Sequence, residues 1–571
     1  MRPNAIVTDD VPRMSSAGMA IDGSNWFRPV PSLLDEAVAR YGAQPAMYFF
    51  GRRWSYRALG ELVERAACGL QRLGVVKGTR VGLCLPNTPY SVICYFAALK
   101  AGAIVVNFNP LYVEREILHQ VRDSGTTIMF VPDLARIAGK VDAIAEQARL
   151  QHIVVCPLHA VMPPLKALAF RLFRKKERAK LPQDGRHVLF DQLIATRQAF
   201  TPVAIAPKTD IAVLQYTGGT TGVPKGAMLT HANLTANSAQ VLLAHGNALR
   251  EGEERVLGVL PLFHVFALTA VMNAGVALGA EIILLPRFEI HELLQCIRRT
   301  RPTIFPAVPT IYAAINAAVE KKHVDISSIR FCISGGAPLP VEVAKRFEAI
   351  TGGRLVEGYG LSEASPVVSF TPPGHERKAG SVGLPVPGTT IEIRDPNEPS
   401  RVLDRGQKGE ICVRGPQVMA GYWNRLEETQ AAFIDGALRT GDIGYLDEDG
   451  YLFLVDRIKD VIICSGYNVY PRVLEEALYQ HPAVAEALVI GIPDAYRGQS
   501  PKAFVALRPG AVATETELLD FLSRYVSKIE MPKAIEIRPS LPKTAVGKLS
   551  KKDLLEEIFA KPGSGTQSGA Q

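Results

Sequence analysis

In the first half of the chain, short runs of consecutive apolar residues alternate with stretches in which apolar positions recur at helical spacing. The runs predict strands buried on both faces, and the helical spacing predicts helices between them. The predicted strands are 80–85, 103–107, 127–131 and 152–156, and the predicted helices are 90–100 and 114–124. Because this alternation is typical of parallel sheets covered by helices, we expect an α/β fold.

The pattern changes after about residue 383, where strands become shorter and polar residues alternate with apolar ones. Segments 390–394, 409–414 and 451–455 predict a small β-rich unit over 383–455. A second pattern starts at Asp456, with predicted helices at 471–480 and 515–525 and predicted strands at 485–491 and 502–507. We therefore expect an N-terminal region, 1–455, and a small α+β C-terminal domain, 456–561. The Gly/Ser/Gln-rich tail, 562–571, is expected to be disordered.

One apolar stretch, 265–285, is long enough to be mistaken for a membrane span. Asn273 and Glu281 interrupt it, and Gly275 and Gly279 weaken it as a helix. An acidic side chain inside a bilayer costs several kcal/mol. The stretch therefore predicts a buried helix followed by a buried strand, 281–285.

Composition narrows the class of protein. At 571 residues, the chain is too long for one core, and 47% hydrophobic with 21% charged residues is typical of globular proteins. Its eight cysteines form no C-x-x-C pair, which argues for reduced thiols and against a zinc site or a disulfide framework. Segment 1–23 lacks the apolar region of a signal peptide, so we expect a cytoplasmic protein.

The net charge of +8 has a local origin. Segment 166–180 contains seven basic residues and one acidic residue, so it supplies six of the eight charges. A diffuse basic surface for nucleic acid is therefore not supported. Helical spacing places Leu165, Leu168, Ala169, Leu172 and Phe173 on one side of this segment and its basic residues around the other. We expect 165–180 to lie peripherally on the anionic inner face of the membrane, with a solvated helix as the alternative.

The most informative segment is a loop rich in Gly and Thr that follows the apolar run 211–214. Its glycines let the backbone bend with N–H groups turned inward, its threonines add hydroxyl donors, and Lys225 adds a positive charge. This combination predicts a polyphosphate site, with a flexible surface turn as the alternative. The loop is not a Walker A motif, because Lys225 follows a Pro and precedes no Ser or Thr. The predicted phosphate-binding residues are Thr217, Gly218, Gly219, Thr220, Thr221, Gly222 and Lys225.

Seven further motifs follow the loop, at 261–266, 334–338, 357–363, 439–442, 456–460, 465–467 and 542–548. In this order they resemble the adenylate-forming superfamily, which includes acyl-CoA synthetases, aryl-CoA ligases, luciferases and peptide-synthetase adenylation domains. The resemblance covers about residues 32–555. Segment 107–116 and the basic insertion resemble the bacterial long-chain fatty acid–CoA ligases most. The resemblance implies that the small C-terminal domain is mobile.

The resemblance also implies a two-step reaction that uses ATP, Mg²⁺ and CoA. A fatty acid carboxylate attacks the α-phosphate of ATP to give acyl-adenylate and pyrophosphate, and the CoA thiol then displaces AMP. The first step gathers anions, so the site must supply positive charge. The implied Mg²⁺ ligands are Glu363 and Thr220, although an acid at a helix start is the alternative reading of Glu363.

Further residues are implied to bind ATP or AMP. Tyr359 is expected to stack on adenine, with a ring face left open by flanking glycines, and Asp442 is expected to accept from the ribose hydroxyls. Ser362 is expected to touch the α-phosphate. The full set is Gly335, Gly336, Ala337, Gly358, Tyr359, Gly360, Ser362, Asp442 and Arg457.

Lys548 is implied to stabilise the anionic transition state of the first step, although most lysines in this position of a chain are solvated. Lys459 corresponds to a hinge, and Ser465, Gly466 and Tyr467 to a turn that meets CoA. His264 is expected near the reacting groups as a positioning residue rather than a base.

Phe266, His264 and Gly360 are expected to line the acyl pocket. Medium-chain, dicarboxylic and aryl acids stay open as substrates, as do a luciferase-like oxygenase and a non-catalytic lipid-binding scaffold. A scaffold is disfavoured because Lys548 and Glu363 are both present. Because Gly466 is present and 457–466 carries no insertion, the CoA step is expected to be intact. The sequence leaves the oligomeric state open, including a homodimer.

Overall fold

The computed structural model describes residues 26–180, 182, 184–195, 199–217, 224–322, 324–465, 467–494, 496–544 and 547–559. Six predicted site residues lie outside the described residues: Gly218, Gly219, Thr220, Thr221, Gly222 and Gly466. The tail 562–571 and segment 1–23 also lie outside them.

The largest sheet has nine strands. In spatial order they are Leu384–Pro385, Val367–Phe370, Arg354–Gly360, Phe331–Ser334, Ile304–Ala307, Arg255–Gly258, Glu281–Leu284, Pro45–Phe49 and Arg52–Ser55. The central strands run parallel, and the strands at both edges are antiparallel. Because parallel strands point their carboxyl ends toward one edge, the segments after Ser334 and within 358–360 come to lie side by side.

A second sheet has seven strands. In spatial order they are His187–Leu189, His152–Cys156, Ile128–Pro132, Arg80–Leu83, Ile104–Asn107, Ile211–Thr217 and Lys225–Thr230. All neighbours are parallel except the last pair, which forms an antiparallel hairpin. The four strands predicted from apolar runs are found within two residues of their expected ends, which confirms the α/β class.

The helices between residues 31 and 431 fill the connections between strands. The helix Pro89–Lys100 is buried at every position but its last, as its continuous apolar sequence requires. The helices are Pro31–Tyr41, Tyr56–Arg72, Pro89–Lys100, Glu114–Ser124, Ala135–Ile144, Pro164–Phe173, Phe190–Ile194, His231–His245, Val265–Ala267, Ala274–Ala277, Ile290–Thr300, Pro309–Lys322, Val341–Thr351 and Leu426–Ala431.

The apolar stretch 265–285 is buried, as predicted. A π-helical segment, Leu268–Asn273, joins the short helices Val265–Ala267 and Ala274–Ala277, and the strand Glu281–Leu284 follows. The carboxylate of Glu281 accepts a hydrogen bond from Arg53 Nε at 2.6 Å, which compensates its burial. Among the described residues, no helix combines the length and the apolar character that crossing a membrane requires.

The last two units are smaller sheets. Strands Thr390–Arg394, Gly409–Arg414, Ala437–Leu446, Phe433–Ile434 and Leu452–Arg457 form an antiparallel sheet. Strands Tyr467–Val469, Ile462–Cys464, Gly498–Leu507, Val484–Asp494 and Ile535–Arg538 form the C-terminal sheet, which packs with helices Pro471–Tyr479, Glu515–Leu522 and Lys551–Phe559. We call the part from Ile462 onward the C-terminal unit.

The basic segment departs from the prediction of one helix over 165–180. The helix Pro164–Phe173 ends early, and a short 3₁₀ turn, Lys175–Glu177, follows. Arg178 pairs with the buried Asp133 at 3.3 Å, and the Ala179 N–H donates to the Asp133 carbonyl. These tertiary contacts hold the end of the segment extended, so they override its helical spacing.

Candidate active site

The predicted phosphate loop joins the two strands of the hairpin Ile211–Thr217 and Lys225–Thr230. Thr217 lies directly opposite Lys225 in the register. The hydroxyl of Thr217 and the ammonium of Lys225 therefore stand at the two ends of the loop. The interior of the loop lies outside the described residues, so its phosphate-binding role stays a prediction.

A tyrosine that the sequence analysis missed links Lys225 to Glu363. The ammonium of Lys225 lies 5.3 Å from the ring centroid of Tyr422, and the Tyr422 hydroxyl donates to Glu363 Oε1 at 2.9 Å. Burial and the adjacent Glu363 carboxylate raise the pKa of Tyr422 above its usual range, so its hydroxyl keeps its proton. The backbone N–H of Trp423 donates to the Gly226 carbonyl, which anchors this aromatic pair on the hairpin. The run Gly421–Tyr422–Trp423 is the sequence signal that could have pointed to Tyr422.

Glu363 lies in a 3₁₀ turn, Ser362–Ala364, and not at the start of an α-helix. Its backbone carbonyl accepts from the Met419 N–H, which fixes the turn. Among the described residues, only Oε1 of its carboxylate has a hydrogen-bond partner. Hard carboxylate oxygens suit Mg²⁺, which commonly takes one or two protein carboxylates and completes its shell with phosphate and water. The donor chemistry of Glu363 therefore fits the ion that the resemblance implies.

The glycine-rich motif Gly335–Gly336–Ala337 follows the strand Phe331–Ser334 and lies beside the end of Arg354–Gly360. A Cβ on Gly335 would lie 3.1 Å from the ring of Phe266. Phe266, which we expected in the acyl pocket, therefore packs against the expected floor of the adenine site. The two predicted pockets meet at this contact.

Tyr359 is more enclosed than its flanking glycines suggested. Only 7% of it is exposed, and it packs with Ala364, Val368 and Ile391 in a core shared with the small antiparallel sheet. Its hydroxyl donates to Asp442 Oδ2 at 2.7 Å. This packing leaves little of Tyr359 exposed, and its stacking on adenine stays a prediction.

Asp442 and Arg457 face each other across two antiparallel strands. Arg457 Nε lies 3.2 Å from Asp442 Oδ1, so Arg457 and Tyr359 engage different oxygens of the same carboxylate. Burial raises the pKa of Asp442, whereas Arg457 opposes that rise. A carboxylate oxygen can accept more than one hydrogen bond, so this arrangement leaves acceptor capacity for a diol.

Lys548 reaches this region from the C-terminal unit. A Cβ added to Gly336, whose φ is +81°, would overlap the Cε and Nζ of Lys548. The turn that carries Lys548 docks on the N-terminal region, where the Thr310 hydroxyl donates to the Gly547 carbonyl at 3.0 Å. Loss of hydration, with a contribution from Arg457, lowers the pKa of Lys548 to about 8.

His264 is held as a neutral imidazole. Its Nδ1 accepts from the Phe266 N–H at 3.3 Å, which assigns the proton of the neutral ring to Nε2. Burial, and then the charge of Lys548, lower the pKa of His264 to about 3. Such a group retains an abstracted proton poorly near neutral pH, which favours the positioning role over a base.

Lys459 follows Arg457 by two residues, whereas the residues predicted to meet CoA are not brought to this cluster. Lys459 lies exposed in a short turn, Ile458–Asp460. Ser465, with φ +52°, and the exposed Tyr467 flank the tip of the hairpin formed by Ile462–Cys464 and Tyr467–Val469. Within the described part of the chain, no hydrogen bond or ion pair links Ser465 or Tyr467 to the residues around Gly336.

Most of the chain is similar to known proteins. Residues 34–423 match the family model of the AMP-binding enzyme, and residues 473–548 match that of the AMP-binding enzyme C-terminal domain. The chain is 44% identical over 534 residues to a long-chain-fatty-acid–CoA ligase of Bacillus subtilis (strain 168), covering 93% of this chain and 94% of that protein. It is 37% identical over 541 residues to a protein of the same name from Escherichia coli O157:H7, covering 94% and 95%.

Among solved structures, the crystal structure of ATP-bound MatB from Rhodopseudomonas palustris superposes with a TM-score of 0.80 at 28% identity. The superposition covers 93% of this chain and 99% of that one. Together with the sequence matches, this similarity confirms the resemblance that the ordered motifs predicted.

Proposed function

The chain belongs to the AMP-binding enzyme family, and from this we propose that it is an ATP-dependent acid–thiol ligase. It activates a long-chain fatty acid as acyl-adenylate and transfers the acyl group to CoA, releasing pyrophosphate and AMP. The contact between Lys548 and Gly336 carries the proposal, because it brings a cation of the C-terminal unit to the predicted nucleotide site. The fatty acid is proposed because the relatives from B. subtilis and E. coli are named for it.

In the first step, a carboxylate oxygen of the acid bonds to the α-phosphorus of ATP while the bond to the pyrophosphate oxygen breaks. Pyrophosphate leaves with that electron pair. The ammonium of Lys548 stabilises the negative charge that the carboxylate and α-phosphate bring together. Ser362 and the residues of the Gly/Thr loop donate to the phosphates, and Lys225 adds a second positive charge.

Glu363 would hold Mg²⁺ together with Thr220, and the bound ion would neutralise phosphate charge. The Tyr422 hydroxyl occupies one oxygen of Glu363 and leaves the other for the metal. Tyr422 is thus a positioning residue for the ligand carboxylate, in the way that outer-sphere hydrogen bonds orient other metal ligands.

The adenosine lies between two groups of residues. Gly335, Gly336 and Ala337 form the floor of the adenine site. Tyr359, which lies between Gly358 and Gly360 in the chain, stands beside the adenine ring. Asp442 and Arg457 hold the ribose. The hydrogen bond from Tyr359 to Asp442 joins the residue beside adenine to the residue that holds the ribose. The two contacts therefore orient the nucleoside together.

In the second step, the CoA thiolate attacks the acyl carbon, and the bond to the AMP oxygen breaks. We propose that the C-terminal domain, 456–561, turns about Lys459 relative to the N-terminal domain, 1–455. This motion withdraws Lys548 and presents Ser465, Gly466 and Tyr467 to the pantetheine arm. The exposed position of Ser465 and Tyr467 at a hairpin tip is consistent with such a contact.

A direct assay tests the proposal. Purified protein is incubated with ATP, Mg²⁺, CoA and oleate, and AMP and oleoyl-CoA are measured by chromatography. Without CoA, ATP–pyrophosphate exchange should still occur. Adenylate without thioester would contradict the CoA step, oxygen consumption with light emission would favour an oxygenase, and acid binding without turnover would favour a scaffold.

The acyl pocket is proposed to involve His264, Phe266 and Gly360. Medium-chain, dicarboxylic and aryl acids remain the alternative substrates. Comparing kcat/KM for octanoate, oleate, hexadecanedioate and 4-coumarate ranks them, because only differential binding in the transition state changes this ratio. A preference for 4-coumarate over oleate would overturn the long-chain assignment.

We also propose peripheral attachment to the anionic inner face of the membrane through the helix Pro164–Phe173. None of its residues is buried, and its apolar side chains point into solvent, with Leu165 84% and Phe173 83% exposed. Exposed apolar residues beside basic ones suit a bilayer interface. Arg171, Lys175 and Lys176 are exposed around this face, whereas Arg174 pairs with Glu177 and Arg178 with Asp133.

Vesicle co-sedimentation tests this attachment. The triple variant Arg171→Gln, Lys175→Gln, Lys176→Gln should lose binding to phosphatidylglycerol vesicles, since each basic residue contributes about 1 kcal/mol at an anionic surface. Exposed basic residues elsewhere, changed as Arg250→Gln, Lys345→Gln and Lys552→Gln, provide the control. Equal loss of vesicle binding in both triple variants would contradict the attachment, as would a lack of binding by the unchanged protein at low salt. The segment would then be a solvated helix.

A further inference from the structure

The N-terminal region and the C-terminal unit are joined by a nearly buried ion pair. Arg472 Nη2, on the helix Pro471–Tyr479, lies 3.5 Å from Glu357 Oε1, on the strand Arg354–Gly360. The two side chains are 10% and 11% exposed. A pair so shielded from water is sensitive to the loss of either partner, because the other charge is then left without compensation.

Glu357 occupies a defined position in the site. It pairs in register with Ser334, directly before the Gly335–Gly336 motif, and it precedes Tyr359 by two residues on the same strand. Burial raises the pKa of Glu357 to about 7, against the opposing effect of Arg472 and a backbone N–H at Leu339. At this buried position, Glu357 depends on the positive charge of Arg472 to stay ionised.

Arg472 connects this position to the rest of the C-terminal unit. Its backbone N–H donates to Asp456 Oδ2 at 2.8 Å, next to the proposed hinge, and its Nε donates to Glu476 at 2.8 Å. On the same helix, Glu475 pairs with Lys551 at 3.0 Å. Lys551 begins the last helix, three residues after Lys548, so the helix Pro471–Tyr479 connects Glu357, through Arg472, to the segment that carries Lys548, through Glu475.

We propose that the Glu357–Arg472 pair is an interdomain latch that sets the arrangement in which Lys548 reaches the site. Both are positioning residues of the adenylation step, and this assignment rests on the proposed function. The latch acts in that step alone, because turning the C-terminal domain for the CoA step would carry Arg472 away from Glu357.

The test compares Arg472→Gln, Arg472→Lys and Glu357→Gln with the unchanged protein. Adenylation, measured by ATP–pyrophosphate exchange, should fall on the order of tenfold in both Gln variants, which is within the range of coupled pairs. Thioester formation from supplied acyl-adenylate and CoA should be unchanged, and Arg472→Lys should recover part of the loss. The double variant should lose no more than the worse single one.

A matched control is Arg538→Gln, since Arg538 belongs to the C-terminal unit but pairs within it, with Glu536 and Glu557. Its adenylation rate should not change. Glu357→Gln tests the latch from the other side should Arg472→Gln fail to fold.

A second readout does not depend on activity. Acetic anhydride labelling, followed by mass spectrometry, should acetylate Lys548 several-fold faster in the Gln variants, whereas the exposed Lys552 reports the reagent dose. Equal losses in the two half-reactions, or unchanged Lys548 labelling with normal adenylation, would overturn the latch. If the unchanged protein forms neither adenylate nor thioester, the proposed function fails, and the labelling still decides on the latch.

Discussion

Replacing Lys548 by Ala separates the two half-reactions. Its ammonium lies against Gly336, and its pKa of about 8 reflects a place where water has been removed. Lost hydration strengthens Coulomb attraction as well as lowering this pKa. At an effective dielectric constant of about 20, two unit charges about 4 Å apart attract by about 4 kcal/mol, which corresponds to about a thousandfold in rate.

We therefore expect Lys548→Ala to slow adenylation by two to four orders of magnitude, around the cost of removing one preorganised electrostatic stabiliser. Thioester formation from supplied acyl-adenylate and CoA should change little, because Lys548 is proposed to leave the site in that step. ATP–pyrophosphate exchange measures the first step, and release of AMP from the supplied adenylate measures the second.

Lys552→Ala is the matched control, since Lys552 lies four residues after Lys548, at the start of the last helix, but is exposed. Thermal unfolding of both variants shows whether the fold is retained. Equal slowing of the two half-reactions by Lys548→Ala would refute the model in which the C-terminal domain alternates between two arrangements.

Three other predictions concern the same cluster. The kcat/KM of adenylation should fall above about pH 8, because Lys548 must be protonated and loses its proton as the pH rises through its pKa. A fall that persists in Lys548→Ala would contradict this. Glu363→Gln should raise the Mg²⁺ concentration for half-maximal adenylation, and Tyr422→Phe should raise it by about tenfold, so an unchanged Mg²⁺ dependence in both would exclude Glu363 as the ligand. Gly336→Ala should slow adenylation almost as much as Lys548→Ala because its Cβ would displace Lys548, whereas Gly352→Ala adds comparable backbone strain in open space and should leave the rate unchanged.

Much of the fold could be predicted because its signals are local. The helix Glu114–Ser124 and the strand His152–Cys156 have the bounds expected from their apolar spacing. The strands of the small antiparallel sheet begin at Thr390 and those of the C-terminal unit at Ile462, after the two changes of pattern near 383 and near 456, while the domain boundaries themselves stay a prediction. The segment 165–180 is the exception, because the contact of Arg178 with Asp133 decides the end of the helix and leaves no periodic trace in the sequence.

The candidate site was predictable only as a set of motifs. The resemblance to the adenylate-forming superfamily pointed to Glu363, Tyr359 and Asp442, but it could not show that Tyr359 donates to Asp442 or that Tyr422 donates to Glu363. Each of these bonds joins residues more than fifty positions apart, between elements that approach only through the topology of the sheets. The enclosure of Tyr359 by the small antiparallel sheet has the same origin, since its glycine neighbours describe only its local chain.

Lys548 shows why the arrangement of the two units has to be held by other contacts. Without substrate, its ammonium loses hydration and lies near the positive charge of Arg457, and both effects lower its pKa. The charge of Lys548 therefore opposes the arrangement that brings it to Gly336. The bond from Thr310 to the Gly547 carbonyl and the pair of Arg472 with Glu357 act in the opposite direction, and neither uses a group proposed to touch the nucleotide. Because docking and charge stabilisation reside on different residues, a variant of Arg472 can alter the arrangement while the charges that face ATP stay intact.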